Sequence, residues 1–171
     1  MICEEIPMKK LTSVLALVAI LGLAMLASTF APVLAATDPV SGTWKINDAK
    51  SSWSDGKFPP AMSLMIEVKI DGNTFKYHSV NDTMKGKPAV AAFEAAMDGK
   101  PYPFNESARF NQVQVRRTGP GQFEILEMKD GDVIVGAWWW VSADGKQLIR
   151  RGIGKAADGH SKEYEEYFDK Q

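Results

Sequence analysis

The stretch GAWWWVSADGKQLIRRG, residues 136–152, holds three consecutive tryptophans, a turn and two arginines. Neighbours on a β-strand point to opposite faces, so three adjacent tryptophans cannot all enter one core. The stretch reads as a hairpin turned at Ala143-Asp144-Gly145, where glycine takes positive φ without steric cost. If that turn pairs Ser142 with Lys146, Trp140 lies opposite Leu148 and Trp138 opposite Arg150. Trp138, Trp140 and Arg150 then share one wall. Trp139 falls on the other, with Val133, Val135, Val141 and Ile149.

The same turn signal recurs along the chain, at Asp55-Gly56, Asp71-Gly72, Asp98-Gly99, Asp130-Gly131, Asp144-Gly145 and Asp158-Gly159. Between these turns lie strand-length segments rich in β-branched and aromatic residues. Residues 41–47 form a first strand, and 61–70 alternate Met62, Leu64, Ile66, Val68 and Ile70 on one face. Residues 74–80 return, and further strands cover 110–117, 122–129, 132–142, 146–155 and 162–169. Residues 89–97 carry the alanine content of a helix but sit between turns, which favours a strand. The tail 161–169 fits a helix or a closing strand. Successive hairpins without a parallel crossover make a meander, and closure abolishes its edges. The expectation is all-β: an antiparallel up-and-down β-barrel of about eight or nine strands.

Residues 1–36 read differently. Lys9-Lys10 precede an apolar run over 11–28, and APVLAA, residues 31–36, ends in small residues. That order is a signal peptide cleaved after Ala35 or Ala36, leaving 37–171 as the barrel domain. Glu4 and Glu5 suit an n-region badly, so residues 1–7 read as a misplaced start before Met8. An uncleaved anchor is the competing reading, since the run approaches the ~20 residues that span a bilayer. Pro32 and the lack of a basic stop-transfer cluster oppose it. The expected location is periplasmic or secreted. Cys3 is the only cysteine and leaves with the leader, so no disulfide or thiolate ligand is expected. A net charge of −1, with both signs interspersed, gives no footprint for nucleic acid or an anionic membrane.

SGTWKINDAKSSWS, residues 41–54, resembles the Gly-x-Trp opening of lipocalin-like (calycin) barrels. Together with DGKPYP at 98–103, VSADGKQL at 141–148 and the final YFDKQ, it is similar to a group of small exported bacterial proteins, mostly of unassigned function. The resemblance spans nearly all of 37–171, and its motifs are chiefly turn chemistry. It implies that Trp44 closes the barrel floor, under an arginine of a late strand, Arg150 or Arg151.

Catalytic chemistry is thinly represented. His160 lies in a turn. His78 faces outward if Gly72-Asn73 are the two loop residues, and inward if Asp71 joins them. Apolar matching of Ile70 with Phe75 and Val68 with Tyr77 favours the outward register. There is no zinc spacing, phosphate loop, nucleophile elbow or complete calcium loop. Glu165 and Glu166 are adjacent and would point apart on a strand. No catalytic residue, metal or cofactor is expected. An isomerase or cyclase in such a barrel is the least favoured reading.

Small barrels either fill their interior or leave room for one ligand. The favoured reading is a binder of a small apolar or amphiphilic molecule, lined by Trp138, Trp140, Arg150, Phe75, Tyr77 and Phe123. Arg150 would stack on tryptophan or meet an anionic head. Met62, Met65, Met84, Met97 and Met128 suit a cavity lining or a gap-filled core equally. Two other readings stay open. In one, the tryptophans fill a dry core and pack the tail. In the other, an envelope interaction protein oligomerises through an outward Trp139 face.

Overall fold

Among the described residues, alternation of apolar and polar residues becomes eleven antiparallel strands in one sheet. The structure, a computed structural model, describes residues 37–156 and 158–171. The expected leader, with Cys3, lies outside the described residues. The strands are β1 (Gly42–Ile46), β2 (Ser52–Trp53), β3 (Leu64–Asp71), β4 (Thr74–Asn81), β5 (Ala89–Ala96) and β6 (Asp98–Pro103). After them come β7 (Gln112–Gly119), β8 (Gln122–Lys129), β9 (Asp132–Val141), β10 (Gln147–Lys155) and β11 (Ser161–Lys170).

The spatial order is β5-β4-β3-β1-β11-β10-β9-β8-β7-β6, with β2 also on β11. The first strand thus bridges β3 and the last, and the rest is a meander. Its two end strands, β5 and β6, are consecutive in the chain and meet at Met97. Phe93 and Phe104 bridge the seam edge-to-face, with ring centroids 5.0 Å apart. The result is a nearly closed antiparallel barrel.

The turns set the register. Gly72 and Asn73 are the two loop residues between β3 and β4, so Ile70 pairs with Phe75 and Val68 with Tyr77. At the β8–β9 turn both loop residues have positive φ, Asp130 at 53° and Gly131 at 92°, which matches the right-handed twist of the flanking strands. Two elements exceed the expected count. β2 is one, a two-residue continuation of the β1 ladder on β11. β6 is the other: Asp98-Gly99 is a bulge inside a strand and makes no hairpin. Pro101 and Pro103 fit there because β6 is an edge strand, where a missing N–H breaks no ladder. Residues 89–96 are strand, paired along all of β4, and so is the tail.

Packing divides the interior. At the end holding the β3–β4, β7–β8 and β9–β10 turns, Val40, Trp44, Phe75, Phe123, Leu148 and Phe168 are fully buried. The 38–41 segment plugs that end. Trp44 Nε1 donates to the Val40 carbonyl at 2.8 Å, and Asp38 pairs with Arg117 of β7. Toward the opposite end the interior is hollow.

β9 and β10 approach closely where Gly152 pairs with Ala137. A Cβ on Gly152 would stand 2.2 Å from the Gly136 carbonyl oxygen and 2.9 Å from Ala137 Cα. A Cβ on Gly154 would come closest to the Val135 Cγ2 methyl, at 3.1 Å, with the Ile134 carbonyl oxygen at an ordinary 3.7 Å. Gly152→Ala is therefore expected to lose about 2–3 kcal/mol in urea unfolding, and Gly154→Ala under about 1. Equal losses would contradict the close approach.

Candidate functional site

Strand parity sends Val135, Ala137 and Trp139 of β9, Leu148 and Arg150 of β10, and Tyr164, Glu166 and Phe168 of β11 to the interior. Register then places Arg150 opposite Glu166. Arg150 Nε donates to Glu166 Oε2 at 2.8 Å, and Nη2 donates to the same oxygen. The other oxygen, Oε1, accepts from Trp53 Nε1 at 2.9 Å. The Glu166 side chain is 4% exposed and that of Arg150 16%. Three rings pack on the guanidinium: Trp139 and Tyr164 at 5.4 Å and Phe168 at 5.6 Å. Burial alone would lower the Arg150 pKa, but the Glu166 charge, joined by Tyr164, Tyr77 and Glu127, outweighs it and holds the guanidinium ionised.

The tryptophan ribbon faces the opposite way from the sequence expectation. Trp139 lies inside, 2% exposed, while Trp138 is 55% exposed on the outer wall. Trp140 is half-buried on that same outer face, below the Arg151 guanidinium at 5.8 Å. The cause is a loop one residue longer than expected. The Ser142 N–H donates to the Gln147 carbonyl at 2.8 Å, leaving Ala143–Lys146 as loop. Asp144 holds it, accepting from Ser142 Oγ at 2.6 Å and from the Lys146 N–H at 3.1 Å. That slip puts Trp139, not Trp138, opposite Arg150. It also removes Trp139 as an outer contact face.

The other expected residues divide by depth. Phe75 and Phe123 lie in the packed half, edge-to-face with centroids 5.2 Å apart. Tyr77 lies at the edge of the hollow half, stacked on Phe93 at 4.9 Å. Trp44 occupies the plugged end, but the cation over its ring, at 5.0 Å, is Lys170; Arg150 and Arg151 instead pair with Glu166 and Glu165. His78 is exposed on the outer face of β4. His160 lies between Asp55 and Asp158 at the surface.

The hollow half encloses a cavity of about 410 Å³. Met62, Leu64, Phe104, Phe110 and Val135 supply apolar wall, and Tyr77, Glu127, Arg150, Tyr164 and Glu166 supply polar wall. Burial pushes the Tyr77 phenol up to about 12 against the pull of the Arg150 charge, and raises Tyr164 likewise. Burial also raises the Glu127 carboxyl, opposed by Arg150 and then Arg109. The sequence reading missed Glu127, Tyr164, Glu166 and Trp53. Parity carried a signal for Glu127, which falls on the same side of β8 as Phe123 and Ile125.

No protein-family model and no curated protein matches the chain. Solved structures do. One is zebrafish ileal bile acid-binding protein complexed with cholic acid, at 14% identity and TM-score 0.51, covering 78% of this chain and 99% of that one. The fold is a calycin-like β-barrel. Apo lipid binding protein 8 of Caenorhabditis elegans matches equally, at 14% identity and TM-score 0.51, over 78% of this chain and 96% of its own length.

Removing one member of a buried ion pair strands the other without water. Glu166→Ala is expected to cost about 3–5 kcal/mol, and Arg150→Met with Glu166→Leu together far less. Urea unfolding of the three proteins checks this, and a double variant worse than the single would contradict it. The raised Tyr77 pKa has a definite sign. Between about pH 10 and 12 the unfolded chain has lost that proton while the folded barrel keeps it. Stability therefore falls as pH rises, by up to about 1.4 kcal/mol per unit from this group. Tyr77→Phe should make the alkaline fall shallower; an unchanged slope would show that Tyr77 ionises freely when folded.

Proposed function

We propose that the protein is an exported binder that carries a small apolar or amphiphilic molecule inside the barrel. The observation that carries the reading is the cavity, apolar along its wall and ending on buried polar groups instead of a filled core. Its size falls within the ~300–1,000 Å³ usual for small-molecule sites. The two barrels of like fold are named for bile acid and lipid binding, which supports the same class of ligand here. The leader-like order of residues 1–36 supports export to the periplasm or beyond.

An interaction protein is the second reading. Trp138 and Ile153 favour it, both 55% exposed on the outer wall of β9 and β10. The readings separate on chain length and on position. Each methylene buried in the cavity is worth about 0.8 kcal/mol, so two added to a linear alcohol should tighten binding about tenfold until the cavity fills. Titration calorimetry with octanol, decanol and dodecanol measures this. Val135→Trp should abolish binding by filling the hollow, and Trp138→Ala should leave it unchanged. Affinity independent of chain length, or lost only in Trp138→Ala, would reject the interior site.

A further inference from the structure

We infer that Glu127 is the polar anchor of the barrel cavity, and that the site prefers amphiphiles with a cationic amine head over neutral alcohols, and both over carboxylates. The inference rests on the proposed interior binding and adds the chemistry of the head group.

The cations around the cavity are already engaged. Arg150 donates twice to Glu166 and lies among three rings. The Lys162 ammonium sits 3.2 Å from the Trp53 ring centroid and 3.6 Å from Asp55 Oδ2. Arg109, at the exposed rim, donates to the Lys155 carbonyl and covers the Phe110 ring at 5.0 Å. Glu127 is different. It lines the cavity, yet among the described residues its carboxyl has neither a hydrogen bond nor an ion pair. Its inward direction is the ordinary parity of β8, shared with Phe123 and Ile125; the ladder shift beside it leaves Ile134 of β9 as the extra residue, between Val133 opposite Met128 and Val135 opposite Glu127.

Such a lining discriminates by charge. An incoming carboxylate would have to displace Glu166 from Arg150, and Glu166 is itself held by Trp53. Failing that, it would lie beside Glu127 and Glu166, where like charge in a partly desolvated space repels it. A hydroxyl can donate to the Glu127 carboxyl. An ammonium can donate and also neutralise it, and charge-assisted hydrogen bonds are roughly twice as strong as neutral ones. Tyr77 and Tyr164, which keep their phenol protons, give a head group further hydroxyl contacts.

Titration calorimetry of the intact barrel with dodecylamine, dodecanol and dodecanoate, at monomeric concentrations and pH 7.5, tests this. The amine should bind about tenfold or more tightly than the carboxylate, with the alcohol between. Glu127→Gln should weaken the amine about tenfold and change the alcohol by under about threefold. Glu165→Gln, on the outer wall, should leave the order intact and so excludes surface attraction as its cause. Carboxylate binding as tight as the amine, or an amine preference that survives Glu127→Gln, would overturn the inference while leaving interior binding standing. No binding by any of the three would overturn both. If Glu127→Gln does not fold, the order of the three ligands on the unmodified protein decides.

Discussion

The hydrogen-bonded pair of Arg150 and Glu166 is the constraint around which the interior is arranged. Two charges taken out of water cost several kcal/mol each unless geometry and further hydrogen bonds compensate. Here two donors of the guanidinium meet one carboxylate oxygen, and an indole N–H satisfies the other. The faces of Trp139, Tyr164 and Phe168 supply the remaining contacts. The pair requires β10 and β11 in one register, since a one-residue slip would send one charge outward and leave its partner buried alone. The same slip would separate Arg151 from Glu165 on the outside. Both wall faces thus reinforce one alignment.

The pair also marks where the barrel changes character. Toward the plugged end, Trp44, Phe75, Phe123, Leu148 and Phe168 leave no water-accessible surface. Toward the other end, β8 contributes Glu127 and β4 contributes Tyr77 and Ser79, and the space between them stays open. A filled floor below a polar shelf, with an apolar chamber above, suits an amphiphile that enters from the open end and stops with its head on the shelf. At the seam, β5 and β6 remain edge strands, and Phe93 and Phe104 meet edge-to-face where the backbone ladder stops.

How much of this was legible in the sequence depended on the turns. Gly72-Asn73 is a two-residue loop, so alternation alone fixed Ile70 opposite Phe75 and kept His78 outside. Ala143–Lys146 is a four-residue loop stabilised by Ser142 and Asp144, and a reading one residue short exchanged the faces of Trp138 and Trp139. Three adjacent tryptophans offered no correction, since either face is equally aromatic. β6 was hidden because its two prolines and Asp98-Gly99 are turn chemistry, tolerated only because the strand is an edge. Glu127 and Glu166 were hidden because charge reads as surface. Their inward placement follows from parity with Phe123 and Phe168, which required trusting alternation over polarity.

The central claim is that a ligand occupies the barrel interior, and isotope-edited NMR of the protein with bound dodecanol tests it most directly. The account predicts intermolecular nuclear Overhauser contacts from the alkyl chain to the Val135 methyls and the Phe104 and Phe110 rings, and from the carbinol protons to Tyr77 and Tyr164. Contacts instead to Trp138 and Ile153 would place the ligand on the outer wall and contradict it.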